Sequence, residues 1–272
     1  MANTLIKVIA HVHSRYSHDG ELSLDQIIEL CKLNGYSAVL LTEHAQDINE
    51  ESFGRLLNDA ARLTDEHFVV ISGLEYEGEG DTHLLVFGLK EYLSCDLPLH
   101  EIACYARKKG LVVVVAHPQR NKGFIPEELV NYINGIEIWN SKNDGQFVPD
   151  PSNLKLLKQL RESRTELFGY GGLDLHWVNQ SVSLHMGVEA PRLEVGEILK
   201  ALVGGKFLII GGKCTLSSSG ETGRLSGALF SVQSIFYRVV KFVSKKIIYK
   251  MLKYILGEAV LDRIKRKVRG VI

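Results

Sequence analysis

The stretch AHVHSRYSHDG, residues 10–20, ends the first apolar run of the chain. A strand alternates its side chains with period two, so His11 and His13 are expected on one face, with Asp19 beyond them in a glycine-terminated turn. Three metal-competent side chains would then meet at one strand end. The plainer alternative is a strand-to-loop junction with ordinary polar residues, and the stretch alone does not separate the two.

Working outward, short apolar runs alternate with helical patterns. Strands are expected at 6–11, 38–42, 68–72, 83–88, 111–116, 135–139, 167–171 and 207–210, and helices at 24–33, 49–63, 99–108, 127–132, 153–162 and 194–202. Ser23 with Gln26 three residues on has the pattern of a capping box. Gly35 and Gly110 follow helices as C-terminal caps do. The pair 68–72 and 83–88 has only a glycine-rich connection and is expected to be antiparallel. Repeated βα units point to a parallel, barrel-like sheet, whose functional groups gather at the C-terminal strand ends. The histidines and acids obey that rule. His11 and His13 end the first strand, Glu43 and His44 the second, and Glu75 follows the third. His117 ends 111–116, while Asp174 and His176 follow 167–171. His83 begins its strand, as a strand running the other way requires. Recurrence at separate strand ends points to a collective metal site.

HVHSRYSHDG, LTEHA, GLEYE, THLLVFG, AHP and GGLDLH, in this order over about residues 5–180, resemble the PHP family (polymerase and histidinol phosphatase). The resemblance implies an α/β fold, a distorted (β/α)7 TIM-like barrel, and hydrolysis of phosphoesters with two to three divalent ions. It implies the metal ligands His11, His13, Asp19, His44, Glu75, His83, His117, Asp174 and His176. His11, His13, Glu75 and Asp174 would hold one ion. Glu75 would bridge to a second, held also by His83 and His117, and Asp19, His44 and His176 would hold the third. Glu75, Asp174 and His176 are the catalytic candidates. Glu43 stands where many members have Asp, outside the ligand set, and GGLDLH replaces the usual GSDxH while keeping Asp174-x-His176. Mixed His and carboxylate ligands suit Zn²⁺, Mn²⁺ or Fe²⁺. A phosphoester substrate, whether a small molecule, a nucleotide or an oligonucleotide, also needs fixed donors. Arg15, Arg120 and Asn140 are the candidates, with Lys122 behind them. Glu137 reads as buried and paired, and His18 as a loop histidine. His67, His100 and His185 lie outside the motifs. Two alternatives stand beside this reading. One is a non-catalytic or regulatory PHP module. The other is an amidohydrolase-like hydrolase, which usually carries a lysine on a mid-barrel strand; VVISGLE and VVVVAHP offer none.

Hydrophobic residues make up 45% of the 272-residue chain, enough for a core and too many for disorder. Cys31, Cys95, Cys104 and Cys214 show no CxxC pairing and read as reduced thiols. With no signal-like start and no uncharged apolar run near the ~20 residues that span a bilayer, a cytoplasmic location is expected. The formal net charge of zero conceals an imbalance: residues 224–272 carry twelve Lys or Arg and two acids, a net +10 against −10 elsewhere. We expect the barrel over 1–216, a linker at 217–225, and a basic amphipathic helical tail at 226–272. Three uses fit such a tail: docking on the barrel or a second copy, peripheral contact with an anionic membrane, or nucleic-acid contact.

Overall fold

The apolar run before His11 forms β1 (Thr4–Val12), the strand around which the computed structural model is built; it describes residues 4–145, 147–212 and 214–221. In chain order follow α1 (Leu24–Leu33), β2 (Ala38–Leu41), β3 (Glu43–His44), α2 (Glu50–Leu63), β4 (Val69–Ile71), β5 (Gly73–Gly78) and β6 (Thr82–Phe87). The chain continues through α3 (Leu99–Lys108), β7 (Val112–Ala116), α4 (Glu127–Val130), β8 (Gly135–Asn140), α5 (Pro151–Ser163) and β9 (Phe168–Gly172). It ends in β10 (His185–Ala190), α6 (Val195–Val203), β11 (Phe207–Gly211) and β12 (Cys214–Ser217).

Local chemistry sets the element ends. Ser23 and Gln26 close the capping box of α1 reciprocally, and Asn49 with Ser52 does the same for α2. The helices turn one apolar stripe inward: Phe53, Leu56 and Ala60 of α2 are buried, each large side chain contributing about 1.5–3 kcal/mol. Strands β2, β7 and β8 are buried along their whole length, as strands covered on both faces are.

The strands form two six-stranded sheets, ordered β12-β11-β10-β1-β2-β4 and β3-β5-β6-β7-β8-β9. The expected distorted (β/α)7 barrel is therefore not closed; the fold is mixed α/β. Besides the reversed β6, two features prevent one continuous parallel ladder. The segment after β9 returns antiparallel, so β10 pairs against β1 and carries β11 and β12 outward as a meander. The parallel pair β2–β4 also breaks at Thr42 and Ser72 and resumes as β3–β5 in the second sheet. The sheets still meet: Leu173 N–H donates to Ala10 O at 2.8 Å, and Val12 bridges Leu175. The metal-competent ends of β1, β3 and β9 are brought together at this junction with the middle of β5. The strand expected at 68–72 does not run against 83–88: it is β4 and pairs parallel with β2, and the next strand, β5, is the one antiparallel to β6.

At the far end, Ser217 belongs to β12 and accepts from Gly220 N–H, so the first residues expected as linker are hydrogen-bonded to the sheet end. Residues 222–225 of that stretch, and the whole tail 226–272, lie outside the described residues. Among the described residues no helix is long and apolar enough to cross a membrane.

Candidate metal centre

Glu75, in the middle of β5 and 1% exposed, is the hub of the site. Its Oε1 lies 2.8 Å from His83 Nδ1, 3.2 Å from His117 Nε2 and 3.5 Å from His11 Nε2. Its Oε2 lies 3.3 Å from His44 Nδ1 and 3.4 Å from His13 Nε2. Five histidines from three separate strand ends and one strand start thus face one carboxylate. A second node forms beside it. His176 Nε2 is 3.2 Å from Asp19 Oδ2, His44 Nε2 is 3.3 Å from Asp19 Oδ1, and His176 Nδ1 is 3.2 Å from Asp174 Oδ1.

Convergence depends on backbone geometry that alternation alone does not supply. His11, His117 and Asp174 all have positive φ, at 59°, 26° and 54°. A non-glycine residue there is uncommon and strained, and such strain concentrates at functional sites. At His11 the register of β1 against β2 also shifts between Ala10 and Val12. The two rings of the first strand therefore reach the cluster through a bulge, with centroids 5.3 Å apart, and not through plain period-two alternation.

A surrounding set of acceptors fixes the rings. His11 Nδ1–H donates to Glu137 Oε1 at 2.8 Å, which leaves Nε2 to face Glu75. Ser17 Oγ–H donates to Glu43 Oε2 at 2.6 Å. The Ser17 oxygen is then left to accept from His44 N–H at 3.0 Å and from His13 Nδ1–H at 3.4 Å, so His13 Nε2 carries a lone pair into the site. Glu43 also takes Ser14 N–H and Ser14 Oγ–H, so this fully buried acid anchors the loop that ends in Asp19. His176 Nδ1–H donates to Asp174 O at 2.9 Å and frees Nε2.

Charge follows the same map. Burial opposes protonation of His11, but Glu137, Asp174 and Glu75 outweigh it and raise its pKa well above the ordinary value. Burial and three neighbouring histidines hold His13 well below it. Burial also opposes the His44 proton, yet Asp19 and Glu75 raise it to about 10. Burial works against the Glu75 charge, and His11, His117 and His44 overcome it and hold Glu75 well below the carboxylate range. A cation held here would compete with the His11 and His44 protons, so its affinity would rise with pH.

The donor set fits a metal. His11 Nε2, His13 Nε2, His44 Nδ1, His117 Nδ1 and Asp19 Oδ1 are buried without a hydrogen-bond partner, a cost a structure accepts where a ligand satisfies them. Ligand atoms gather within 4.8 Å of one another in four groups: His13–Asp19–His44–His176, His11–His13–Glu75, His11–His117–Asp174 and Glu75–His83–His117. Residues 10–170 match the PHP domain family. The chain belongs to that family. No curated protein sequence matches it. Solved structures that share its fold include two of similar extent. One is a two-domain protein containing a predicted PHP-like metal-dependent phosphoesterase from Bacteroides vulgatus, with TM-score 0.60 and 19% identity over 79% of this chain and 67% of that one. The other is PsfC from Pseudomonas syringae, with TM-score 0.56 and 18% identity over 87% and 99%.

Set against the PHP resemblance, all nine expected ligands fall in these four groups. Glu75, His83 and His117 gather as implied. Asp19, His44 and His176 gather with His13 added, and the four residues implied for one ion occur in two overlapping groups, one of which includes His117. Of the expected substrate contacts, only Asn140 enters the PHP cluster. It is buried, with Nδ2 2.9 Å from Glu137 Oε2 and 3.5 Å from Asp174 Oδ2. Arg15 is exposed and donates to Glu21 O. Arg120 is half-exposed and grips Asp81 with two nitrogens, at 2.8 and 3.1 Å. Asp81 in turn lies 3.2 Å from His83 Nε2. Lys122 adopts φ 53° at the end of the 118–121 turn, outside the groups above. His18 is exposed and paired with Asp47.

Three functional neighbours were not legible as such. Glu137 reads in sequence as buried and paired, and its partner is His11. Asp81 and Lys142 lie in no motif of the sequence. Lys142, two residues past β8, places Nζ 3.1 Å from Asp174 Oδ1. The strands VVISGLE and VVVVAHP bring no lysine to the site, but this turn does. A signal was present in IEIWNSKND, where Lys142 follows the strand-end Asn140 by two residues.

Proposed function

We propose that the chain is a hydrolase that cleaves phosphoesters with two or three divalent ions held by His11, His13, Asp19, His44, Glu75, His83, His117, Asp174 and His176. The observation that carries the reading is the hub: one buried carboxylate faced by five histidines, of which His11, His13 and His44 turn toward it nitrogens that lack hydrogen-bond partners. Nine ligands exceed what one closed structural site needs. Bound ions there would neutralise phosphoryl oxygens and supply a nucleophilic hydroxide near neutral pH. The residues of the chain hold the frame. Glu75 presents an oxygen to each half of the cluster. Glu137 and Ser17 keep the His11 and His13 lone pairs turned inward. Asn140 and Asn143 orient Asp174. In the reaction the P–O bond breaks, the water oxygen joins phosphorus, and its proton ends on the leaving oxygen. The substrate is a phosphorylated small molecule, a nucleotide or a short oligonucleotide.

The test is to strip the protein with chelator, reload it with Mn²⁺, Zn²⁺ or Fe²⁺, count metal per chain, and assay phosphomonoesters and phosphodiesters. More than one ion per chain and chelator-sensitive turnover are expected. Glu75→Gln should lose more than the ~100-fold typical of an outer-shell change, with the fold kept by circular dichroism. No metal uptake after reloading, or wild-type turnover in Glu75→Gln, overturns the reading.

A further inference from the structure

Among the described residues, Lys142 is the one Lys or Arg ion-paired to a member of the metal-competent cluster. Its Nζ lies 3.1 Å from Asp174 Oδ1, 3.3 Å from His176 Nδ1 and 3.4 Å from His176 Nε2. The same ammonium stands 5.1 Å over the ring of Trp177, which is 44% exposed. The side chain of Lys142 is 28% exposed, so it sits at the mouth, between buried ligands and solvent.

The turn that carries it is built. Asn140 N–H donates to Asp144 Oδ2 at 2.8 Å, and Asp144 N–H returns to Asn140 O at 2.7 Å. Asn140 Oδ1 accepts Asn143 N–H at 3.0 Å. Ser141 ties the turn to the end of β9 through Gly172 O and Leu173 O. Asn143 Nδ2 holds Asp174 Oδ2 at 3.1 Å. The ammonium is thus tethered to a stiff frame beside the ligands, on a stem long enough to re-aim.

Of the other candidate cations, Arg120 is spent on Asp81 and Arg15 on a backbone carbonyl, and Lys122 follows the 118–121 turn outside the ligand groups. When Asp174 turns its lone pairs to an ion, its charge is shared and Lys142 loses most of its partner. A second anion at the mouth then becomes its natural counter-charge. Lysine suits this as a compact point charge with three donors, able to meet a non-bridging oxygen without the fixed planar fork of arginine.

We propose that Lys142 is the phosphate anchor of the site, binding a non-bridging oxygen of the scissile phosphoryl group from its perch on Trp177. The inference rests on the phosphoesterase reading and deepens it by naming the residue that holds the substrate anion.

Inorganic phosphate is the probe, titrated calorimetrically into metal-loaded full-length protein, with metal content measured for every variant. Lys142→Met should keep the wild-type metal complement and bind phosphate at least about tenfold more weakly, the scale of one lost charge-assisted hydrogen bond. Lys142→Gln repeats the measurement and decides if the Met variant does not fold. KM for a phosphoester should rise in the same variants. The chain has two tryptophans, and Trp139 is buried with its N–H on Gly145 O, so phosphate should change tryptophan emission in wild type and not in Trp177→Phe. Phosphate affinity within about twofold of wild type in a fully metallated Lys142 variant overturns the proposal. So does loss of metal from that variant, which would make Lys142 a support for Asp174. Wild-type protein that takes up metal but neither binds phosphate nor hydrolyses any phosphoester is a different result: it overturns the phosphoesterase reading itself, and the anchor with it.

Discussion

Glu137 accepts from His11 Nδ1–H through one oxygen and from His117 N–H and Asn140 Nδ2–H through the other. Two ligands and one neighbour of the cluster therefore share a single buried carboxylate, the arrangement that fixes ring orientation and raises ligand basicity in metal sites. Glu137→Gln should lower metal affinity about 10–100-fold while the chain still folds, read by titration against a competing chelator. Unchanged affinity would remove Glu137 from the support of the site. Asp144, one turn beyond, carries a different charge problem. Burial, with Asp150 and Glu137 nearby, pushes its carboxyl up to about 8 despite the Asn140 N–H and the Asn153 amide. The folded protein thus keeps a proton that the unfolded chain releases above about 3.9. Between those values the native state binds more protons, so the contribution of Asp144 to stability falls as pH rises and stays lost above about 8. Asp144→Asn keeps the acceptor and removes the titration. Its melting temperature relative to wild type should therefore climb from pH 4 to pH 8, and a constant difference would contradict the assignment. At this scale the candidate ligands were legible because chemistry restricts which residue types bind metal. Their supports were not, because a buried Glu looks the same in sequence whether it orients a histidine or neutralises a distant cation.

Strand β9 shows what an element must leave out. A Cβ built on Gly172 would lie 1.8 Å from Glu137 Oε1 and 2.9 Å from His11 Cβ, so only glycine lets β9 pass beside that pair. Gly172→Ala should push Glu137 off His11 and weaken metal binding, measured by the same chelator competition. Gly54 in α2 is the contrast: an added Cβ there meets nothing within 4 Å, and Gly54→Ala should raise stability by about 0.5–1 kcal/mol with metal affinity unchanged. Equal effects on metal affinity from both changes would deny Gly172 its role. The helices were legible because capping boxes and apolar stripes are local. Strands β10 and β12 were not. HMGVEA and CTLS are short and interrupted by Gly or polar residues, and they are held in place by pairing with β1 and β11.

For the whole molecule, the net +10 on 224–272 makes an outcome measurable on the intact chain. A tail that lies on a membrane surface predicts co-sedimentation with anionic vesicles at low salt, release at high salt, and little binding to neutral vesicles, since each cation near the surface is worth about 1 kcal/mol and salt screens it. Full-length protein left in the supernatant at low salt excludes that use of the tail. In the body, the metal-competent residues that gather and their order along the chain were legible in sequence alone. So were the βα alternation and the reversed strand that starts at His83. These follow from residue chemistry and from periodicities readable within a dozen residues. Tertiary structure alone decided that the strands divide into two sheets, because a ladder closes only if distant edges pair, and β10 takes the β1 edge in the antiparallel sense. It alone decided that Glu75 is the hub, that Arg120 faces Asp81, and that Lys142 reaches Asp174. Each is a meeting of side chains fixed by positive-φ residues, a bulge and a strand-pair break, whose energies depend on neighbours far away in sequence.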